Sequence, residues 1–531
     1  MTLALLNART LWGAKATHVR VEVHLSSGLP TFRVVGMNSH AAQATIERVR
    51  AALSFTGYEF PLGRLTVNLA PADTPKNTAC TDLAIALGIL LATRQTKFSP
   101  NFPDLKSSQT EQYAPQQALH QTPHDWVFLG ELSLSGMLIE TDHLLPILLT
   151  IAKEMSGAKV VLPVQQLEYL PHIPGLHIIG VSSLTHACDV ISGNLQAGFF
   201  KSSQAEVSIN HANQLCLSDV RGQVEACRAL EIAAVGGHHL LLAGSAGAGK
   251  SLLAKRLISL LPPLTAEESL EVAAIQCFTS PDHKTIWGRP MRSPHSRTTM
   301  VAMTGGGAMA MPGELTFAHR GVLILDEAAE FDRKVLDALR EPIESGVVHV
   351  SRLRARLSHP AAFQLVMTTN LCPCGWYGHP TQPCRCTLAV KEAYQRTLSG
   401  PLLDRIDMAL TLHAPSCEWQ KQPKAPASVD VRPRIEAAQL RAMKRQNCLN
   451  HALQLPQIDR LQIINNEVWS VLNQVTQRMG LSTRAQLKAI RVALSCADLE
   501  QAKQVEVEHI LEALGYRLHI TAKKYYNQRL G

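Results

Sequence analysis

A glycine-rich run of eight residues has the residue types that hold a nucleotide phosphate. It consists of Gly244, Ser245, Ala246, Gly247, Ala248, Gly249, Lys250 and Ser251. Glycine has no Cβ, so backbone N–H groups can close around phosphate oxygens at the start of a helix. Lys250 would reach the β- and γ-phosphates, and the Ser251 hydroxyl would complete a magnesium shell. The pattern predicts a phosphate-binding loop that takes ATP and Mg²⁺.

A second, acidic site fits hydrolysis of the nucleotide. Four aliphatic residues, Val322 to Leu325, precede Asp326 and Glu327. Asp326 would hold magnesium through water, and Glu327 would orient and polarise the attacking water. The same pair also suits an ordinary strand end followed by a helix cap. The phosphate-binding loop upstream favours the catalytic interpretation.

Two further polar residues fit such a site. Asn370 follows an apolar, strand-like stretch at 363–369, where its amide would sense the γ-phosphate; a turn asparagine has the same pattern. Arg405 lies between Asp404 and Asp407. Its planar guanidinium suits the phosphate charge of a neighbouring subunit's ATP, and it equally suits a local salt bridge. The residues alone leave both roles open.

Four cysteines are concentrated in one short segment, at Cys372, Cys374, Cys384 and Cys386. Four thiolates suit tetrahedral zinc, with His379 as a substitute ligand; reduced free thiols are the alternative because the C-x-C spacing is tighter than usual. Zinc with four protein ligands has no open position for chemistry. It would hold the loop after Asn370 in place. Removal of zinc is expected to unfold that loop, with a smaller effect on nucleotide binding.

The elements that must position these side chains follow from the hydrophobic pattern. Residues 240–243 have the pattern of a buried strand, and residues 252–260 carry apolar side chains at helical spacing. Near the other end of the chain, Ser482 is a good N-cap for a helix with a regular core face. Arg484, Lys488 and Arg491 form a basic stripe along that helix. Arg484 is interpreted as functional, and a solvated charged face is the favoured interpretation for Lys488 and Arg491.

With these motifs the chain resembles the ComM/YifB family of magnesium-chelatase-like AAA+ ATPases. Besides the two nucleotide motifs and the cysteine cluster, the matching segments are residues 28–32, 67–73, 219–223 and 481–485, so the resemblance covers nearly the whole chain. The resemblance implies that Arg405 is the arginine finger, Asn370 the first sensor and Arg484 the second sensor. It also implies that Gly222 and Gln223 lie beside the adenine.

The implied fold is multidomain α/β. It has an AAA+ P-loop core, an N-terminal Lon-protease-like (ribosomal protein S5-like) α+β domain and a C-terminal helical lid domain. Strand patterns at 21–25 and 32–35 and helix patterns at 40–55 and 82–92 agree with an α+β domain. The expected boundaries are 1–190 for the first domain with a polar insertion at about 95–125, 191–213 for a linker, 214–415 for the core with its four-cysteine loop at 372–386, and 428–531 for the helical magnesium-chelatase-type domain.

The N-terminal domain raises proteolysis as a rival activity, because Lon proteases cut with a serine and a lysine. In this chain Cys80 falls at the position of the serine and Leu138 at that of the lysine. A thiol without a base to activate it is an inert small side chain. The domain is therefore expected to be proteolytically inactive and to serve as an assembly or substrate-guiding platform.

The net charge of the chain indicates what kind of partner it binds. Lys and Arg number 51 against 43 Asp and Glu, which gives +8 and favours a polyanion. Arg352, Arg354 and Arg356 alternate with apolar residues, which on a strand puts three arginines on one face, toward a ring pore or along a charged sheet edge. Arg289 and Arg292 precede a glycine run and suit a mobile pore loop or an interdomain contact. These five arginines are the candidate DNA contacts.

Nothing in the sequence indicates a membrane. The best apolar run, residues 83–92, is shorter than the roughly 20 residues of a membrane-spanning helix. The first residues lack the basic segment of an export signal, so the cytoplasm is the expected location.

By the resemblance, the expected function is that of a hexameric branch-migration helicase. Such a protein would act on single-stranded or branched DNA, together with recombination proteins, and promote homologous recombination of incoming DNA in natural transformation. A protein-remodelling AAA+ ATPase and a metal-chelatase motor subunit are the alternatives. The fused N-terminal domain and the absence of a metal-adhesion segment in the sequence weigh against the chelatase.

Overall fold

The computed structural model describes residues 2–71, 79–99, 119–194, 215–279, 288–307, 309–352, 355–414 and 419–521. These residues form an N-terminal α+β region, a central parallel sheet flanked by helices, and a helical C-terminal region.

The N-terminal region is built around a mixed five-stranded sheet in the order β3-β4-β2-β1-β5. Two smaller sheets, β10-β9-β6 and β7-β8, complete it. Its strands are β1 Thr2–Trp12, β2 Lys15–Ser26, β3 Thr31–Val35, β4 Arg64–Ala70, β5 Leu119–Gln121, β6 Trp126–Phe128, β7 Glu131–Leu132, β8 Leu138–Ile139, β9 Ala158–Pro163 and β10 Leu176–Val181. Its helices are α1 Ser39–Phe55, α2 Asp82–Ala92, α3 Leu144–Glu154 and α4 Leu184–Ser192.

The structure confirms the predicted strands and helices of this region. Helix α2 is apolar on all sides because every one of its residues is buried. Two expected boundaries differ. The end of the polar insertion is ordered, since β5 at Leu119–Gln121 pairs in parallel with β1, and α4 extends to Ser192 inside the expected linker. Residues 100–118 of the insertion and 195–213 of the linker lie outside the described ranges.

The central region is a five-stranded parallel sheet in the order β12-β13-β16-β11-β17, with a separate hairpin of β14 and β15. Its strands are β11 Leu240–Gly244, β12 Met291–Arg292, β13 Val322–Leu325, β14 Val347–Arg352, β15 Ala355–Pro360, β16 Gln364–Asn370 and β17 Met408–Leu412. Its helices are α5 Val224–Gly236, α6 Lys250–Leu260, α7 Ala266–Gln276, α8 Met300–Thr304, α9 Glu314–Phe317, α10 Arg333–Ala338, α11 Arg340–Ser345, α12 Leu388–Gln395 and α13 Gly400–Leu403.

Five helices make up the C-terminal region: α14 Ser428–Gln446, α15 Leu455–Leu461, α16 Asn466–Met479, α17 Thr483–Leu499 and α18 Val507–Thr521. The Ser482 hydroxyl accepts a hydrogen bond from the backbone N–H of Ala485 at 3.2 Å, which confirms the predicted N-cap of α17. Apolar residues of α14, α17 and α18 join those of α5, α6 and the central sheet in one continuous core. The helical region is thus packed on the sheet and positions its side chains against it.

Candidate nucleotide site

The glycine-rich run joins β11 to α6, as predicted. Gly247 and Gly249 have φ values of 76° and 84°, the left-handed region that glycine adopts at low cost. The Lys250 ammonium donates to the carbonyls of Gly244 at 3.1 Å and Ser245 at 2.7 Å. Burial lowers the pKa of Lys250, whereas Asp326 and Glu327 act to raise it. The ammonium is therefore buried and held by two carbonyl groups of its own loop.

The acidic motif and the loop meet at the carboxyl ends of β13 and β11, the two strands that flank β16. The Ser251 hydroxyl donates to Asp326 Oδ1 at 2.7 Å, so the two predicted magnesium residues are in direct contact. Thr368, on β16, donates to the same oxygen at 2.6 Å and accepts from the backbone N–H of Glu327 at 3.0 Å. Glu327 itself has a left-handed φ of 53°. Thr368 thus ties the two acidic residues together, a role not assigned to it from the sequence.

Asn370 closes the site from the adjacent strand. Its position in the sheet pairs with Gly244, and its Oδ1 accepts from the Lys250 ammonium at 3.0 Å. On the other side of the loop, Gln223 Nε2 donates to the carbonyl of Ala248 at 3.1 Å. Gly222 has a φ of 64°, and its N–H donates to the carbonyl of Pro423 at 3.2 Å. Asn370 and Gln223 therefore both touch residues of the loop.

Arg405 lies at the opposite edge of the sheet. The parallel register pairs Leu240 with Met408 and Gly244 with Leu412. Arg405 precedes β17, at the amino ends of the strands, whereas the phosphate loop follows their carboxyl ends. The length of the strands, roughly 13 Å for four residue steps, separates the two. Arg405 therefore cannot serve the phosphate loop of its own chain.

Arg484 lies beside Arg405. One carboxylate, Glu344 of α11, binds both guanidinium groups: its Oε2 is 3.0 Å from Arg405 Nη2, and its Oε1 contacts Arg484 Nη2. Arg484 Nη1 is also 3.3 Å from Asp404 Oδ2. Arg405 further donates to the carbonyls of Arg340 and Pro401 at 2.7 and 2.9 Å. The local salt bridge left open for Arg405 is present, and the two arginines form one group at this edge.

The interpretation of Lys488 and Arg491 as a solvated face is wrong. The Lys488 ammonium is buried and lies 2.9 Å from Asp407 Oδ1, and Arg491 Nε donates to the carbonyl of Leu453 at 2.7 Å. Burial would raise the pKa of Asp407, but Lys488, His239 and His238 outweigh it and lower that pKa. The stripe faces the central region because α17 packs on α5, and a charge buried there requires an acidic partner.

Sequence models of one family match three parts of the chain. The description "Magnesium chelatase, subunit ChlI" fits residues 216–419, "Subunit ChlI of Mg-chelatase" fits 21–103, and "Magnesium chelatase, subunit ChlI C-terminal" fits 425–517. YifB of Escherichia coli (strain K12) is 38% identical over 523 residues, which is 97% of this chain and 97% of YifB. The Competence protein ComM of Haemophilus influenzae is 35% identical over 97% of this chain and 98% of ComM.

The chain belongs to the ComM/YifB family of magnesium-chelatase-like AAA+ proteins. A magnesium-chelatase 38 kDa subunit from Rhodobacter capsulatus is similar over a smaller part, 29% identical across 29% of this chain and 49% of that subunit. Membership in this AAA+ family implies ATP and Mg²⁺ as ligands. In the part of the chain that the structure describes, no helix combines the length and the apolar character that crossing a membrane requires.

The four cysteines of this ComM/YifB protein meet in space. The sulfur atoms of Cys372, Cys374, Cys384 and Cys386 all lie within 4.8 Å of one another. A tetrahedral zinc–thiolate centre with bonds of about 2.3 Å places its sulfurs about 3.8 Å apart, so the donor set fits that metal. The His379 ring is not in this group, and its Nδ1 accepts from the N–H groups of Thr381 and Gln382 at 3.3 and 3.1 Å.

The candidate DNA residues are distributed differently from the prediction. Residues 347–360 form a hairpin, in which Arg352 ends β14, Arg356 lies in β15 opposite Ser351, and Arg354 falls outside the described residues. Arg352 and Arg356 therefore lie on different strands of the hairpin and do not share one strand face. Arg289 donates to the carbonyls of Pro262 and Arg320 at 2.6 and 2.7 Å, and Arg292 pairs with Glu314 at 2.6 Å. These two arginines make local structural contacts, which argues against the mobile pore loop.

Proposed function

We propose that this protein is an ATP-hydrolysing motor whose active sites form between subunits of a hexameric ring. The separation of Arg405 from its own phosphate loop carries this proposal. One chain has the phosphate loop at the carboxyl ends of its strands and the two arginines at the amino ends, so it carries two halves of an active site. In a closed ring, the arginines of each subunit meet the phosphate loop of the next, and every active site is complete. Arg405 would be the arginine finger, and Arg484 would join it as the second sensor on the neighbour's ATP.

The roles within one site follow from the contacts around the phosphate loop. Backbone N–H groups of the loop other than that of Ala246, which donates to the Gly375 carbonyl, would cradle the phosphates, and Lys250 would neutralise their charge. Ser251 and Asp326 would hold Mg²⁺, which stabilises charge on the phosphates when bound. Glu327 would accept the proton of the attacking water, Asn370 would sense the γ-phosphate, and the adenine would lie beside Gly222 and Gln223.

DNA is the proposed substrate of the motor. The similarity to a protein named Competence protein ComM supports this, as does the arginine-bearing hairpin of β14 and β15, which forms a two-stranded sheet of its own. Phosphate contacts from such a hairpin are independent of sequence, as translocation requires. The work would be branch migration that promotes homologous recombination of incoming DNA in natural transformation, with recombination proteins as partners.

Two structural roles complete the proposal. The four cysteines would hold a structural zinc ion, and the N-terminal domain would be a Lon-protease-like platform without peptidase activity. Cys80 and Leu138 are both buried, and the carbonyl of Cys80 accepts from the N–H of Gly130, beside which Leu138 packs. A leucine in this apolar setting offers no base for the thiol.

Mixing inactive subunits tests the shared active site. Lys250→Ala and Arg405→Ala rings should each lose ATP hydrolysis, Arg405→Ala by a factor on the order of 10³. Rings mixed from both variants should regain it, because about one quarter of random interfaces pair an intact loop with an intact arginine. The measurement is steady-state ATP turnover after subunit exchange. No recovery in correctly assembled mixed rings would contradict the shared site.

The matched control mixes Arg405→Ala with Arg484→Ala. If both arginines act on the neighbour's nucleotide, each interface then lacks one of them, and mixing should restore no more than either variant has alone. Recovery as strong as in the first mixture would place Arg484 on the ATP of its own chain instead.

A junction-migration assay tests the work on DNA. Wild type should move branched DNA junctions with ATP, and Lys250→Ala should not. Alanine at Arg352, Arg354 and Arg356 should weaken DNA binding and lower the slope of log affinity against log salt by about one for each arginine–phosphate ion pair removed. Arg396→Ala is the control, because this arginine directly follows α12 and its side chain is 81% exposed. Stimulation of ATP turnover by unfolded protein and not by DNA would favour the protein-remodelling alternative.

A further inference from the structure

The loop that carries the four cysteines is seated on the phosphate loop. The carbonyl of Gly375 accepts a hydrogen bond from the backbone N–H of Ala246 at 2.8 Å. Gly375 has a φ of 79°, and a Cβ at this position would lie 3.2 Å from the Ala246 Cβ. A glycine is therefore needed for this turn to reach the phosphate loop.

The sulfur cluster determines where Gly375 lies. The N–H of Gly375 donates to the carbonyl of Cys372 at 3.1 Å, and Cys372 Sγ lies 3.3 Å from Cys374 Sγ and 3.7 Å from Cys384 Sγ. Gly375 directly follows Cys374. The contact to Ala246 therefore depends on a turn that contains two of the four cysteines, Cys372 and Cys374. A metal bound by the four sulfurs would hold this turn in place.

The same segment also reaches the catalytic carboxylates. Helix α12 follows Cys386, and its Tyr394 is half-buried near the acidic motif. Burial, together with the carboxylates of Glu330 and Glu327, raises the pKa of Tyr394. In the same helix, Lys391 lies over the ring of Tyr377 at 4.1 Å, which joins α12 to the cysteine loop. The segment thus spans from the phosphate loop to the neighbourhood of Glu327.

We infer that the metal-bound four-cysteine loop is a positioning element of the ATP site, which sets nucleotide affinity through the contact of Gly375 with Ala246. This inference rests on the proposed ATP and zinc sites. The cysteines touch no substrate, and their role is to hold the loop in the conformation that receives phosphate. One backbone hydrogen bond of ordinary strength corresponds to a change of about three- to tenfold in affinity. Loss of the metal should weaken ATP binding by that factor without abolishing it.

The test measures zinc content and the Kd of a fluorescent ATP analogue on the same full-length samples. The double variant C384S/C386S should lose zinc and bind the analogue about three- to tenfold more weakly. Gly375→Ala should keep its zinc, because all four sulfurs remain, and show a similar loss. Gln382→Ala, an exposed change in the same loop, should alter neither quantity.

The outcomes separate the inference from the proposals on which it rests. Wild type without stoichiometric zinc overturns the zinc site and the metal part of the inference. If the wild type holds zinc but the Kd is unchanged both in the zinc-free double cysteine variant and in Gly375→Ala, the positioning role alone is overturned. If the double cysteine variant fails to fold, the Kd of Gly375→Ala alone tests the positioning role, because the metal ligands of that variant are intact.

Discussion

At the scale of single residues, the nucleotide motifs have the contacts that their chemistry requires. Lys250 contacts Asn370 and Ser251 contacts Asp326, although α6, the end of β13 and the end of β16 are far apart in the chain. These residues were predictable because each belongs to a short motif whose spacing reflects phosphate or metal chemistry. Thr368 was not, since a threonine in a β-strand is ordinary and its function depends on two partners about forty residues away in the chain.

Thr368 is expected to position the acidic motif. Thr368→Val removes the hydroxyl that donates to Asp326 and accepts from the N–H of Glu327, so kcat for ATP should fall by about tenfold or more. The affinity for ATP should change little, because Lys250 and the loop remain. Thr368→Ser keeps the hydroxyl and should retain most of the activity. Equal activity of the valine and serine variants in steady-state turnover would refute this role.

At the scale of elements, helix α17 joins the C-terminal region to the central region. Its N-cap and periodicity predict the helix itself, but periodicity does not tell which polar face meets another element. Lys488 is buried against Asp407, whereas a stripe of basic residues is more often solvated. The prediction failed because a buried lysine is stable only with a partner that the local sequence does not contain.

Breaking this ion pair should destabilise the junction strongly. Lys488→Met leaves Asp407 as an unpaired buried carboxylate, at an expected cost of about 3–5 kcal/mol. The double variant K488M/D407N removes both charges and should be less destabilised than the single variant. Thermal unfolding followed by calorimetry compares them. A double variant as unstable as Lys488→Met would show that charge burial is not the cause.

At the scale of the whole molecule, buried histidines lie where the sheet, the turn after α5 and the C-terminal helices meet. Burial lowers the pKa of His238 to about 3 and that of His239 to about 4. In the unfolded chain both imidazoles titrate near 6.5. Between pH 6.5 and about 4 the unfolded state therefore binds more protons, and stability must fall as the pH falls.

Acid should thus loosen the junction before the carboxylates titrate. From pH 6.5 to 5 the two histidines together should cost on the order of 3 kcal/mol, visible as a fall in Tm. His238→Gln removes one of the two groups and should make that fall shallower. His172→Gln, an exposed change, should follow the wild-type curve. A Tm that is flat over this range would contradict the prediction.

The N-terminal region also contacts the central region. The N–H of Gly13, at the tip of the β1–β2 hairpin, donates to the carbonyl of Met309 at 3.1 Å. A Cβ on Gly13 would lie 2.6 Å from the carbonyl oxygen of Ala310. Helix α3 packs against α7, where Lys153 lies 3.6 Å from Glu271. Such contacts join residues far apart in the chain, so no sequence pattern predicted them.

The sequence by itself determined the chemistry of this protein: the phosphate loop, the acidic pair, the four thiols and the helices and strands around them. Each of these is a local pattern with its own physical reason. Only the tertiary structure decided that Arg405 and Arg484 lie at the sheet edge opposite the phosphate loop, and that the cysteine loop touches Ala246. The register of parallel strands sets both placements, and register depends on contacts between residues far apart in the chain.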